Sequence, residues 1–169
     1  MLCAAQIFLV VLLATGPSWS RDDATVEASR FESMEWTTSS TLKMINDSVL
    51  KDLKSRLGRD DRIAEIGQDF RSTDVDVDGL PFRRLVVSGK AKGLWFVCFE
   101  QGGRGHHLVL VMYRVEANAV QLVLLARGDA GDHNGPLGWK ASVSQLKAAF
   151  RTGRFSIDNP EFYLSKKRE

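Results

Sequence analysis

Leu94-Trp95-Phe96-Val97-Cys98-Phe99 is an unbroken apolar run, and its reading decides the fold. Gly93 precedes it, and Gln101-Gly102-Gly103-Arg104-Gly105 follows it closely. A short, continuously apolar segment between two turns is expected of a central strand covered on both faces; a strand with one wet face alternates instead.

Working outward, Leu85–Val87 reads as the preceding strand, joined to the run by a turn through Gly89-Lys90-Ala91-Lys92-Gly93. After the glycine-rich turn come a long strand over His106–Val115, a tight connection at Ala117-Asn118-Ala119, and another apolar strand over Val120–Ala126. Links this short cannot carry crossover helices, so consecutive strands are expected to pair as an antiparallel meander. Further upstream, Val75 and Val77 alternate with Asp74, Asp76 and Asp78, the pattern of an edge strand with one wet face, and Asp78-Gly79 is a hairpin signal.

Helical spacing flanks the strands. Ser39, Ser40 and Thr41 offer N-caps to a stripe of Leu42, Ile45, Val49, Leu53 and Leu57, and Gly58 suits the position that ends the helix. A shorter helix is expected from Asp60 or Asp61, with Ile63, Ile66 and Phe70 inward and Gly67 weakening it. A last helix is expected over Ser142–Thr152, with Val143, Leu146, Ala149 and Phe150 on one face and Gly153 as its stop. The tail, with Asn159-Pro160, is expected to lie across the surface. The fold class is therefore α+β: an antiparallel meander sheet of four to five strands, packed on one face by the N-terminal and C-terminal helices.

The N-terminus carries a different signal. Ile7–Ala14 is wholly apolar, Thr15-Gly16-Pro17 breaks the run, and Ser18-Trp19-Ser20 supplies a small-x-small site before Arg21-Asp22-Asp23. This is the build of a secretory signal peptide over residues 1–20, although no Lys or Arg precedes the apolar run. The run is shorter than the roughly 20 residues a membrane-spanning helix needs, so no membrane span is expected after cleavage. Residues 21–38 lack a strong period and are expected to form a flexible lead-in to a single domain over 39–169. Cleavage would remove Cys3 and leave Cys98 alone, which excludes a disulfide scaffold and suits a bacterial periplasmic protein. Lys and Arg number 23 against 21 Asp and Glu, a balance too even to indicate a nucleic-acid partner.

Four constellations bear on chemistry. Asp74-x-Asp76-x-Asp78-Gly79 opens like a calcium loop, but the position of the closing bidentate carboxylate is Leu85, and Pro81 lies within the loop. Cys98, between Val97 and Phe99, is a small core residue and not an activated thiol. The turn around Arg104, flanked by Glu100, His106 and His107, could present backbone N–H groups and a guanidinium to an anion, and should bring Glu100 close to one of the histidines. The loop Gly128–Gly138 gathers Asp129, Asp132 and His133. With three histidines in the whole chain and no zinc-site spacing, no metal or cofactor is expected.

These features point to an exported, periplasmic, small binding protein of the inhibitor, immunity or envelope-accessory type. It would hold a protein partner of the cell envelope through loop-borne polar contacts from Glu100, Arg104, His106, His107, Asp129, Asp132 and His133. The alternative is a small hydrolase using Glu100 with His107, or Asp132 with His133. Such a pair must converge within hydrogen-bond reach, so placement of the two loops discriminates between the readings.

Overall fold

The computed structural model describes residues 19–58, 60–73, 75, 79–103, 106–117, 119–129 and 141–160. In chain order the elements are α1 (Arg21–Ser33), β1 (Thr37–Ser39), a 3-10 turn (Leu42–Met44), α2 (Asp47–Arg56), β2 (Arg83–Ala91), β3 (Leu94–Gln101), β4 (His107–Glu116), β5 (Ala119–Asp129), α3 (Val143–Arg151) and β6 (Phe155–Ile157). The strands form one antiparallel sheet in the order β1-β2-β3-β4-β5-β6. The expected α+β meander is therefore present, with six strands where four or five were expected. The additions are short strands at the two edges, β1 and β6; the tail that was expected to lie across the surface forms the second of these.

Lys92 and Gly93 close the β2–β3 hairpin, both with positive φ (44° and 77°), the geometry of a two-residue turn matched to strand twist. The turn is thus shorter than the Gly89–Gly93 stretch expected. Gly89 stays in β2 for a packing reason: a Cβ there would overlap the ring of Phe96.

Both faces of the sheet are covered. On one, Phe96, Cys98, Leu108, Leu110, Met112 and Leu124 pack with Ala24, Ala28 and Phe31 of α1 and Leu146 and Ala149 of α3. On the other, Val97, Phe99, Val109, Val111, Tyr113 and Leu125 pack with Val49, Leu53 and Leu57 around α2. The expected one-sided packing is corrected accordingly. Period-two alternation along β3 and β4 sends apolar side chains to both faces, and each face needs its own helical layer.

α1 replaces the expected flexible lead-in. Ser20 caps it by accepting from the Asp23 N–H at 3.1 Å, and Asp22 and Asp23 sit favourably in its first turn. The Phe31 ring meets Phe96 edge-on at 5.2 Å and approaches Trp36 and Phe150 at 5.6 and 5.3 Å. Buried Glu27 receives Arg114 of β4 at 2.7 Å, tying helix to sheet.

α2 begins later than Ser39–Thr41. Ile45 is extended, and Asn46 caps the helix by accepting from Ser48 and Val49. Its end is as expected, with Gly58 at φ 77°. The helix expected after Asp60 is absent. The buried Ala64 instead bridges β2 alongside Arg84: the Ala64 N–H donates to the Arg83 carbonyl and Leu85 donates back to Ala64. Gly67, at φ 79°, turns the chain. Of the expected edge strand over Asp74–Asp78, only Val75 is described, and it is exposed and outside any strand. α3 forms as expected, with a Ser142–Gln145 capping box and Gly153 at φ 68°. Among the described residues no helix is long and apolar enough to cross a membrane.

Phe31→Ala removes the centre of the aromatic cluster, so we expect chemical denaturation to show a loss of about 3–5 kcal/mol, the cost typical of deleting a buried ring. A loss under about 1 kcal/mol would mean that α1 is not part of the cooperative core.

Candidate functional site

The glycine-rich turn leaves β3 at Gln101 and enters β4 at His107, which pair directly. His107 is also paired with Asp129, the last residue of β5. The two polar loops singled out in the sequence therefore leave the same end of the sheet. Arg104, Asp132 and His133 lie outside the described residues; Glu100, His106, His107 and Asp129 are placed.

The turn is braced from outside the hairpin. Gly102 donates to the Phe82 carbonyl at 3.0 Å, Gly103 to Ser72 at 3.3 Å, and Arg71 to Pro81 at 2.8 Å. Gly103 has φ 95°, the left-handed conformation that glycine adopts freely. Gly102 serves close approach instead, because a Cβ on it would overlap the Arg71 carbonyl.

Glu100 is buried and faces Arg84, its cross-strand partner, which donates to Oε2 at 2.7 and 3.2 Å. His106 Nε2 stands 3.9 Å from the same oxygen, beyond hydrogen-bond length but close enough for charge to be felt. The Arg84 guanidinium also lies 4.4 Å over the Phe70 ring, and Phe70 is 5.9 Å from the His106 ring. The expected nearness of Glu100 to a histidine is met by His106. Arg84 was not singled out in the sequence and only the strand register reveals it; Phe70, expected on the inner face of a helix, reaches the site from a loop.

His107 belongs to the other face. Glu100 pairs with Leu108, which packs on the α1 and α3 side, and His107 is one residue removed, in phase with Val109 and Val111 on the α2 side. Glu100 and His107 therefore do not converge, contrary to what a hydrolase built on them requires. Partial burial and the nearby Arg127 charge push the His107 imidazole below its usual 6.5, against the opposing pull of Asp129 and Asp158. Cys98 is fully buried, and burial, assisted by the Glu100 charge, pushes its thiol pKa strongly upward, so it carries no nucleophile. Among the described residues no group of three or more His, Cys, Asp or Glu side chains could hold a metal ion.

No protein family, curated protein or solved structure matches this chain.

Two outcomes follow from this geometry. A His with a lowered folded pKa contributes stability that is present above its unfolded pKa and lost as pH falls through the folded one. The melting temperature should therefore fall more steeply with acidification below about pH 6.5 in the parent than in His107→Gln, and equal slopes would contradict the shift. Gly102→Ala must push the Arg71 backbone aside and should cost about 1–3 kcal/mol in urea denaturation.

Proposed function

We propose that this chain is an exported protein-binding protein that holds a partner of the cell envelope at the turn-bearing end of its sheet. The observation that carries the reading is the register pairing of His107 with both Gln101 and Asp129, which gathers the two polar loops at one edge of a two-faced, fully packed sheet. A rigid scaffold with polar side chains at one end suits recognition, because little conformational freedom is lost when a partner docks. The export and periplasmic parts of the proposal rest on the apolar run at Ile7–Ala14 and the Ser18-Trp19-Ser20 site.

The hydrolytic reading draws no support from Glu100 and His107. Their side chains belong to opposite faces, and Glu100 Oε2 is already held by Arg84. Asp132 and His133, the other pair considered, lie outside the described residues.

The test is affinity capture from envelope extract with the parent protein and with the Arg104→Ala/His107→Ala double variant, compared by quantitative mass spectrometry. We expect one stoichiometric protein to be retained by the parent and lost, by at least about tenfold (1.4 kcal/mol), by the variant. Equal retention by a variant that melts like the parent would remove the contact surface from this end of the sheet.

A further inference from the structure

The start of α1 bears on where the exported chain begins. Two small-x-small triplets overlap there: Ser18-Trp19-Ser20 puts the cut before Arg21, and Gly16-Pro17-Ser18 puts it two residues earlier, before Trp19. A third, Ala14-Thr15-Gly16, would put Pro17 directly after the cut, where the missing N–H removes a hydrogen bond that an extended substrate offers. Between the first two, local composition makes no choice.

Trp19 and Ser20 both belong to the folded domain. Ser20 Oγ accepts from the Asp23 N–H at 3.1 Å, the cap on a donor that no helical carbonyl can reach. The Ser20 carbonyl accepts from the N–H of the fully buried Ala24 at 3.2 Å, the first hydrogen bond of the helix itself. Trp19 precedes the cap, a position from which apolar residues commonly pack back against the first turn. It is partly buried against the core layer that contains Ala24, Ala28 and Phe31. Its indole N–H is shielded from water and unpaired among the described residues, so the ring contributes through apolar contact alone.

A cut before Arg21 discards all three contacts together. It also leaves a charged α-amino group on the first residue of α1, at the positive end of the helix dipole. A cut before Trp19 keeps both hydrogen bonds and the ring, and its new amino group stands two residues outside the helix. Leaders are removed from an extended chain, so the fold does not shield the later bond. What the fold shows is the loss: in a discarded leader, neither a capping hydroxyl nor a core-packed ring serves the product.

We propose that the leader is removed at the Ser18–Trp19 bond. A leader peptidase adds water across that amide, leaving a carboxylate on Ser18 of the leader and an amine on Trp19 of the product. The exported protein then begins Trp19-Ser20 and carries α1 with its own cap. This inference rests on the export proposed above and moves the cut two residues from the position the Ser18-Trp19-Ser20 triplet marks.

The test is to express the full chain in a bacterium, recover it from the periplasm, and read its N-terminus by sequential degradation and intact mass. We expect Trp19. Two variants separate the alternatives. Ser20→Asp retains a capping side chain but places a charge where the Arg21 cut needs a small residue, so processing should continue at Trp19 unchanged. Ser20→Ala keeps the small-x-small triplet and removes the cap, so the exported product should melt about 2–4 °C below the parent. Were the cut before Arg21, Ser20→Asp would accumulate as precursor, and Ser20→Ala would yield a product identical to the parent. Either of those results, or a periplasmic product beginning at any residue other than Trp19, overturns the proposal. An uncleaved chain retained inside the cell overturns the export reading along with it, which keeps the two failures distinct.

Discussion

Burial of β3 and β4 on both faces is the constraint from which the rest of this structure follows. Phe96 and Cys98 go to one side, Val97 and Phe99 to the other, and β4 repeats the pattern with Leu108 and Leu110 against Val109 and Val111. Each such side chain contributes about 1.5–3 kcal/mol only if the face it points to is closed from water. A sheet of this kind is unstable with one helical layer. It obliges the chain to place α2 on one side and α1 with α3 on the other, and it converts a polar-looking N-terminal stretch into a docked helix. The T-shaped contact of Phe31 with Phe96 is where that demand is met.

This explains what could be read from the sequence and what could not. The central strands, the end of α2 at Gly58 and the whole of α3 were legible because each carries a strong period and a glycine stop. The apolar run at Leu94–Phe99 already implied cover on both faces, which sits badly with helices on one face only; the two expectations were inconsistent, and the run was the better guide. α1 was missed because its inward stripe is Ala24, Glu27, Ala28 and Phe31, two small residues and a carboxylate around one ring. The spacing was there, but the hydrophobicity was not. Over Asp60–Phe70 the opposite happened: Ile63, Ile66 and Phe70 have helical spacing, yet Ala64 forms its hydrogen bonds with Arg83 and Leu85 instead. Tertiary pairing overrides a local preference of a few tenths of a kcal/mol per residue.

The candidate site was legible as a set of residues but not as a geometry, because two bulges set it. The Lys92-Gly93 turn pairs Ala91 with Leu94 and Val87 with Cys98; then the register skips Val86, so that Leu85 meets Phe99 and Arg84 meets Glu100. Without that extra residue Leu85 would oppose Glu100. The second bulge, at Val123, likewise brings Asp129 opposite His107 where Gly128 would otherwise stand. Nothing in the local composition of either strand announces the inserted residue, whereas a one-residue slip exchanges every side chain between faces. Which histidine reaches Glu100 was therefore beyond the sequence, while the closeness of one of them was not.

The buried Arg84–Glu100 pair is best understood through that register. Desolvating a carboxylate and a guanidinium offsets most of their attraction, so the pair adds little net stability compared with an apolar isostere. Its side chains are 14% and 2% exposed, which makes the cost of separating them high. A one-residue slip of β2 that brought Leu85 opposite Glu100 would leave that carboxylate buried with its charge unpaired, at a penalty far larger than the pair's net worth. The interaction therefore acts by excluding that register rather than by deepening the native one. Because Glu100 lies next to Gln101 and the glycine turn, the same exclusion fixes where that turn stands against β2. A binding surface built there inherits its shape from a buried charge that itself never needs to touch the partner.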